Sequence, residues 1–251
     1  MRFHSRDGVS VCSAIIGYSI RMKTERRLLP AHVATALLAL AGTMAVAAQA
    51  PGTHPVSGRR YAGVMGFQGA PWLERPERET EEEPDRALEV LALVKGSTVA
   101  DVGAGSGYMT VRMATRVGPQ GKVYAVDIQP EMLQLLGERV KRERLTNITP
   151  VLGAFDDPKL PASAIDLILM VDVYHEFSEP QKMLRRMREA LKPGGRLVLL
   201  EYRKEDPLVP IRIEHKMSVA EAKMEVEAEG FTLSKVDEAL PRQHILIFTR
   251  P

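Results

Sequence analysis

Apolar residues in the second half of the chain fall alternately into short continuous runs and into segments with helical spacing. The runs "IDLILMV" and "RLVLL" are almost uninterrupted, which is typical of parallel strands buried on both faces. Alternation of such strands with helices predicts an α/β domain built on an open, doubly wound, mostly parallel sheet. The last two predicted strands are joined only by "LPRQ", so we expect them to form an antiparallel hairpin at one edge.

The pattern predicts seven strands and four helices from residue 98 onward. The predicted strands are Thr98–Gly103, Lys122–Ile128, Ile148–Gly153, Ile165–Val173, Arg196–Tyr202, Phe231–Ala239 and His244–Thr249. The predicted helices are Tyr108–Val117, Pro130–Arg144, Pro180–Leu191 and Ser218–Glu229. Pro130 and Pro180 stand where the first turn of a helix tolerates proline, and "KPGG" ends the third of these helices.

The segment before this domain is predicted to be an irregular arm followed by a solvated helix. We divide the chain into a leader (1–50), a linker and arm (51–84) and the main domain (85–251). Glycine, proline and small polar residues dominate the start of the arm. "PWLERPERETEEEPDRALEVLALV" predicts a solvated helix whose apolar side is formed by Ala87, Leu88, Leu91 and Val94. The arm's large rings are expected to pack it against the domain, the alternative being a substrate lid.

Residues 22–50 have the layout of a secretory signal peptide. A basic start, an Ala/Leu-rich middle and a small-residue end lead to a cleavage site after Ala47 or Ala50. The alternative is an uncleaved membrane anchor, for which the apolar stretch is short. The sequence therefore predicts true initiation at Met22 and a periplasmic or secreted protein, with membrane contact only if the leader is retained.

Charge and cysteine content exclude several classes of partner and chemistry. The chain has a formal net charge of +2, but residues 1–50 carry six basic and two acidic residues, so the remainder has a small negative balance. A body without a basic excess shows no electrostatic footprint for nucleic acid. Cys12 is the only cysteine, which leaves the body without a disulfide or a thiolate metal site.

Three alternate glycines in "DVGAGSG" follow the first predicted strand. Residues without a Cβ allow a sharp turn and a close approach of backbone N–H groups to a ligand at the carboxyl ends of the strands. Asp101 precedes this loop, and Asp127 ends the second strand, where an acid can accept hydrogen bonds from a ribose diol. NAD-binding proteins share these features, but the spacing here is G-x-G-x-G and an acid stands before it.

Five segments in register resemble the class I S-adenosylmethionine-dependent methyltransferases. They are "VADVGAGSG", "VYAVDIQPEML", "VLGAFDDPKLP", "IDLILMVDVYHEF" and "LKPGGRLVLLEY". The resemblance covers residues 85–250 and implies a Rossmann-like fold, S-adenosylmethionine (SAM) as cofactor and methyl transfer as the reaction.

The resemblance also implies a set of cofactor residues. Asp101 and the glycine loop would hold the methionine end of SAM, Asp127 the ribose, and Ile128 and Met132 the adenine. Asp156 or Asp157 would meet the adenine amino group, although alanine occupies the usual acid position, and the alternative is a turn before Pro158. The full set is Asp101, Gly103, Ala104, Gly105, Ser106, Gly107, Asp127, Ile128, Met132, Asp156, Asp157 and Asp172.

Polar residues after the fourth and fifth predicted strands, where acceptors enter such a sheet, are candidates for chemistry. His175 or His215 is the candidate general base, since the pKa of histidine suits proton transfer near neutrality; the alternative for each is a structural histidine. Tyr174 is expected to shape the pocket. Candidate substrate contacts are Glu176, Glu201, Arg203 and His244, with a salt bridge to Glu201 or Glu205 as the alternative for Arg203. An alternative joins His175, His215 and His244 with Glu176 or Glu201 as a metal site, since histidine and carboxylate are suitable ligands. The spacings are long and match no compact metal motif, so no metal is predicted.

The leading hypothesis is a methyltransferase acting on a small molecule. The first alternative is an exported SAM- or nucleotide-binding module without catalysis. The second is an NAD-dependent oxidoreductase, which the glycine spacing disfavours.

Overall fold

A single seven-stranded sheet forms the centre of the computed structural model, which describes residues 52–251. The strands are β1 Thr98–Val102, β2 Lys122–Asp127, β3 Ile148–Leu152, β4 Ile165–Val171, β5 Leu191–Tyr202, β6 Thr232–Asp237 and β7 Gln243–Thr249. Their order is β3-β2-β1-β4-β5-β7-β6. Strands β1 to β5 pair in parallel, and β7 runs antiparallel to both β5 and β6. The predicted mostly parallel sheet with an antiparallel edge is confirmed, while the predicted leader lies outside the described residues.

Helices connect the strands and cover both faces of the sheet. They are α1 Ala70–Leu73, α2 Arg78–Glu81, α3 Pro84–Leu91, α4 Tyr108–Val117, α5 Pro130–Arg142, α6 Pro180–Ala190 and α7 Val219–Glu227. The four predicted helices correspond to α4, α5, α6 and α7. Ser218 begins α7 as a capping box with Glu221, which satisfies amide groups at the helix start. Among the helices of residues 52–251, none is both long and apolar enough to cross a membrane.

Alternate residues of each central strand face the two halves of the core. On one side, strand residues such as Ile168 and Leu199 pack with α6 and α7. On the other side, Leu167 and Val198 pack with α3 and α4. Because side chains alternate along a strand, an unbroken apolar run fills both halves at once. Four methionines that the pattern places on apolar helix positions are all buried: Met109, Met113, Met183 and Met187.

The segment predicted as one solvated helix is three short helices. Pro76 and Pro84 interrupt the pattern, and Glu83 adopts a positive φ of 45° immediately before α3. Helix α3 ends at Leu91, because Ala92 is left-handed, so Val94 is 68% exposed instead of joining the apolar side. The prediction for Ala87, Leu88 and Leu91 is confirmed, since all three are buried.

A buried ion pair anchors the start of the arm to the domain. Arg59 donates Nε and Nη2 to the two carboxylate oxygens of Glu225 on α7 at 2.9 and 3.0 Å. Its Nη1 donates to the main-chain carbonyl of His175 at 3.1 Å, and the Ala62 amide donates to the same oxygen at 3.0 Å. The arm therefore holds the backbone of a residue at the carboxyl edge of the sheet.

Candidate active site

A cavity of about 490 Å³ lies at the carboxyl ends of the strands, partly beneath the arm. Strand order reverses between β1 and β4, and ligands of open α/β sheets bind at such a point. The polar wall of the cavity is formed by Asp127, Gln129, Asp172, His175, Glu176, Ser178, Tyr202 and His215. The arm contributes Val64, Met65, Trp72, Leu73, Arg75, Arg78 and Glu82 to the lining.

Two glycines of the loop after β1 line this cavity in conformations that other residues rarely adopt. Gly103 has φ +78°, and a Cβ there would stand 2.4 Å from Val173 Cγ2. Gly105 has φ +53°, and a Cβ there would stand 2.7 Å from Leu73 Cδ1 in the arm. Positive φ and close packing both require glycine, so the loop presents bare backbone to the cavity.

Asp127 joins the glycine loop to the end of β2. Its Oδ2 accepts a hydrogen bond from the Gly105 amide at 2.8 Å, and its Oδ1 accepts one from the Gln129 amide at 2.9 Å. Burial raises the pKa of this carboxyl, while the amide bonds oppose that shift. Ile128 and Met132 line the cavity next to it, where the resemblance places adenine.

The side chains or Cα atoms of the remaining loop residues contact other parts of the protein and not the cavity. Ala104 and Ser106 are buried but do not line the cavity, and the Ser106 hydroxyl bonds Glu74 of the arm. Gly107, at φ +87°, begins α4 and packs against Leu136. These residues shape the loop, and their predicted contact with SAM through backbone amides stays a prediction.

The structure corrects the expectation for Asp101. Its side chain is buried and is not part of the cavity lining. Thr110 on α4 donates its hydroxyl to Asp101 Oδ2 at 2.5 Å, and burial raises the pKa of the carboxyl to about 6. Asp101 therefore fixes α4 to β1 instead of facing the methionine end of a ligand.

The two acids after β3 form a turn and do not line the cavity. The main chains of Ala154 and Asp157 pair with each other, and Asp157 Oδ1 accepts from the Lys159 amide at 2.8 Å. Asp156 is exposed. Ala154 and Phe155 occupy this part of the lining. The turn was the alternative interpretation, and an adenine contact by either acid is not supported.

A chain of three polar side chains reaches the cavity from β5. Glu201 is 0% exposed, and its Oε2 lies 2.6 Å from His175 Nδ1. Nε2 of His175 lies 3.1 Å from Nδ1 of His215, which is half-buried. Burial alone would lower the pKa of His175, but the charge and hydrogen bond of Glu201 outweigh it and raise that pKa. Burial and the neighbouring His175 lower the pKa of His215.

The two histidines therefore differ in burial and in hydrogen bonding, although the sequence does not show which of them is the better candidate base. Both line the cavity. His175 has a neighbour at each ring nitrogen, whereas only Nδ1 of His215 is engaged among the described contacts. Glu176, beside them, accepts a hydrogen bond from the Met65 amide at 3.2 Å, and burial raises its pKa to about 7.

Asp172 stands after β4 with one carboxylate oxygen unpartnered. It has φ +52°, and Gln243 Nε2 donates to its Oδ2 at 2.7 Å. Its buried Oδ1 has no hydrogen-bond partner among the described residues. Burial, followed by the charges of Glu82 and Glu201, raises the pKa of Asp172. Asp172 belongs to the cavity lining, so its unpartnered carboxyl oxygen is a candidate contact for a polar group of a ligand.

The arm adds a buried ion cluster that the sequence interpretation missed. Arg78 Nε and Arg75 Nη2 each lie 2.7 Å from a Glu82 oxygen, and the Tyr202 hydroxyl donates to Glu82 at 2.9 Å. Arg78 and Glu82 are only 6% and 4% exposed. The mixed Arg/Glu run is typical of a solvated helix, and only the i,i+4 spacing of this pair gave a signal of the contact.

Four predicted acceptor-side residues lie outside the cavity lining. Arg203 pairs with Glu238 at 2.7 Å and donates to main-chain carbonyls of the β6–β7 connection, so neither Glu201 nor Glu205 is its partner. His244 lies between Glu238 and Glu205 at 2.6 and 2.9 Å. Tyr174 is fully buried against Phe177, and Glu201 acts through His175. Direct substrate contact by these four side chains is not supported.

The glycine loop, the acid ending β2 and the cavity at the reversal of strand order define a nucleoside-binding α/β domain of the methyltransferase type. Comparison with known proteins identifies the family of this domain. A family profile described as "Methyltransferase domain" matches residues 93–240, and the chain belongs to that family. The cofactor of this class of enzyme is S-adenosylmethionine, and the bare cradle of Gly103 and Gly105 with the Asp127 carboxylate fits it.

Individual relatives match the central part of the chain. The demethylmenaquinone methyltransferase of Tropheryma whipplei is 41% identical over 116 residues, which is 46% of each protein. The protein-L-isoaspartate O-methyltransferase of Methanothrix thermoacetophila is 32% identical over 137 residues, covering 52% of this chain and 62% of that protein. The matched region thus spans about half the length of such relatives.

A solved structure covers more of the chain. The SAM-dependent methyltransferase of Aquifex aeolicus superimposes with a TM-score of 0.71 at 28% identity. The alignment includes 75% of this chain and 100% of that one. This similarity agrees with the seven-stranded fold described above.

Proposed function

We propose that the protein transfers a methyl group from SAM to a small-molecule acceptor. The observation that carries the proposal is one cavity whose lining includes both the glycine loop with Asp127 and the His175–His215 pair with Glu176. We call the part of the lining around the glycine loop and Asp127 the cofactor end, and the part around the two histidines the acceptor end. When bound, SAM would supply a methyl group on a positively charged sulfur. The acceptor atom bonds to the methyl carbon in line with the C–S bond, which breaks and releases S-adenosylhomocysteine.

The cofactor end contains groups that suit the binding and orientation of SAM. Bare amides of the glycine loop and the carboxylate of Asp127 suit a nucleoside with a ribose diol. Asp172, whose Oδ1 has no partner among residues 52–251, also lines the cavity and is a further candidate for polar contact with the cofactor. Arg75, Arg78 and Glu82 of the arm also line the cavity, where their ion pairs hold this part of the arm together.

The cavity combines apolar walls with a polar edge at the histidines. Its apolar lining includes Met65, Val173, Phe177, Met183 and Ile211. A mainly apolar cavity of about 490 Å³ lies within the size range of small-molecule sites. An acceptor held with its polar atom on the His175–His215 pair would be aligned for attack, and alignment supplies much of the acceleration of such a displacement.

The names of the relatives indicate different acceptors. One acts on demethylmenaquinone and another on protein isoaspartate. A small molecule is favoured here because the acceptor end lies inside a cavity that the arm partly covers. We leave the attacking atom of the acceptor open.

Ligand titration followed by a turnover assay tests the proposal. Trp72, the only tryptophan, lines the cavity with Arg75 3.8 Å from its ring centroid, so its fluorescence should change when SAM binds. We expect saturable binding of SAM and none of NAD⁺; the reverse result would overturn the assignment. Release of S-adenosylhomocysteine with members of an acceptor panel would distinguish an enzyme from a non-catalytic module.

We further propose that the protein acts outside the cytoplasm. The signal-peptide-like layout of residues 22–50 supports this location. Cell fractionation and N-terminal sequencing of the native protein test it. A periplasmic or secreted chain that begins after Ala47 or Ala50 is expected, and a cytoplasmic chain that retains the leader would contradict it.

A further inference from the structure

We propose that His175, Glu176 and His215 form a binding site for a divalent transition-metal ion in the wall of the cavity. Each residue offers one ligand atom, and the three atoms lie within 4.8 Å of one another. Two imidazole nitrogens and one carboxylate oxygen are suitable ligands for zinc, cobalt or iron in the divalent state. Such a set leaves coordination positions open for a further ligand.

The separation of the two imidazoles fits coordination. Nε2 of His175 and Nδ1 of His215 are 3.1 Å apart. Two metal–nitrogen bonds of about 2.0–2.1 Å at a tetrahedral angle place their nitrogens about 3.3 Å apart. The rings are nearly perpendicular, at 89°, so they do not stack and both nitrogens remain accessible. An ion can therefore replace the proton that the two nitrogens share, with only a small displacement of the rings.

The surrounding groups orient the ligands in the way that metal sites require. Metal-bound histidines usually donate their other ring N–H to a carboxylate, which fixes the ring and its tautomer. Glu201 does this for His175 at 2.6 Å, and the Tyr174 amide in turn holds Glu201 at 3.0 Å. The Met65 amide holds one oxygen of Glu176. Glu201 is therefore a positioning residue for the site and not a ligand.

The local charge also favours a cation. Glu176 and Glu201 both lie beside the histidine pair, and within residues 52–251 neither forms an ion pair with a lysine or arginine. Arg59 reaches only the carbonyl oxygen of His175, because its charge is paired with Glu225. A divalent ion would neutralise two carboxylates that are otherwise poorly compensated.

An ion at this position would face the acceptor end of the cavity. Resting on the proposed function, we infer that its open positions would bind an oxygen or nitrogen of the acceptor and so select acceptors that can ligate a metal. Metal binding itself needs neither SAM nor an acceptor, so it can be measured independently.

Titration of untagged, chelator-treated full chain with Co²⁺ tests the site through visible absorption and calorimetry. We expect one equivalent per chain, with a visible absorption band typical of nitrogen and oxygen ligands. His215→Ala and Glu176→Gln should abolish saturable binding, and Glu201→Gln should weaken it about 10- to 100-fold. His244→Ala is the matched control, because this histidine contacts two carboxylates outside the cavity, and it should bind Co²⁺ like the unaltered chain.

Two results would overturn the inference. One is the absence of stoichiometric Co²⁺ uptake by the unaltered chain. The other is Co²⁺ uptake that persists in both the His215→Ala and the Glu176→Gln proteins. Circular dichroism would verify that both variants are folded. A parallel SAM titration separates the proposals: a chain that binds SAM but not Co²⁺ refutes only the metal site, and one that binds Co²⁺ but not SAM refutes only the proposed function.

Discussion

Asp127 and Gly105 are joined by a hydrogen bond of 2.8 Å from the glycine amide to the carboxylate Oδ2. This bond connects the end of β2 to the loop after β1, so one side chain fixes the relative position of two strand ends. The other oxygen accepts from the Gln129 amide, and the carboxylate still lines the cavity. The same acid can therefore hold the loop and contact the ribose.

Replacing Asp127 with alanine should weaken SAM binding by about 1.5–3 kcal/mol, because charged hydrogen bonds are lost. This corresponds to a Kd roughly 10- to 150-fold higher, measurable by calorimetry. Asp156→Ala is the control, since this exposed acid does not line the cavity and the variant should bind SAM normally. Unchanged affinity in Asp127→Ala would refute the ribose assignment, and a loss in Asp156→Ala would restore the adenine contact that the resemblance implies.

Gly103→Ala should destabilise the protein and abolish SAM binding. Positive φ alone costs about 1–2 kcal/mol for a residue with a Cβ. At Gly103 the Cβ would also stand 2.4 Å from Val173, and overpacking of this kind adds about 1–3 kcal/mol. Gly96→Ala is the control, because Gly96 has a similar φ of +82° with no atom within 4 Å of the added Cβ. Equal losses of unfolding free energy in urea, with SAM binding intact in both variants, would contradict the packing argument.

Local patterns were sufficient to predict the sheet and four of its helices. Nearly continuous apolar runs at "IDLILMV" and "RLVLL" identify strands buried on both faces, and prolines identify the starts of α5 and α6. The arm was less predictable. Its charged residues follow a solvated pattern, yet Arg78 and Glu82 are buried because each neutralises the other.

The same distinction applies to the site. Gly103 and Asp127 could be predicted because each depends only on the end of one strand. The acceptor side depends on the pairing of β5 with β7, which places Tyr202 opposite Gln243 and Glu201 opposite His244. Side chains alternate between faces along a strand, so a one-residue difference decides whether a side chain reaches the cavity. No local pattern specifies that register, and Arg203 and His244 were consequently misplaced.

Arg78→Ala should lower the unfolding free energy by about 1.5–3 kcal/mol, because Glu82 loses a charged hydrogen bond in a buried site. Arg75 and Tyr202 still contact Glu82, which keeps the loss below that of a fully orphaned charge. Arg86→Ala is the matched control: its pair with Glu89 is exposed, and its removal should change stability by at most about 0.5 kcal/mol. Urea unfolding compares the two variants, and similar small effects would show that the arm cluster does not stabilise the fold.

Asp101→Asn should change how stability depends on pH. The folded chain keeps the Asp101 proton up to a pKa of about 6, whereas an unfolded aspartate releases it near 3.9. Between these values the folded state binds more protons, so this group's stabilising contribution is complete below about pH 4 and is lost as the pH rises through about 6. A shift of this size corresponds to about 3 kcal/mol at most.

Asparagine does not titrate, and the other acids with raised pKa values are present in both proteins and largely cancel in the comparison. The unfolding free energy of Asp101→Asn minus that of the unaltered chain should therefore increase by about 2–3 kcal/mol from pH 4 to pH 7. Urea unfolding at several pH values measures this difference. A difference that stays constant with pH, or decreases, would mean that the pKa of Asp101 is not raised in the folded protein, and that its bond to Thr110 compensates fully for burial.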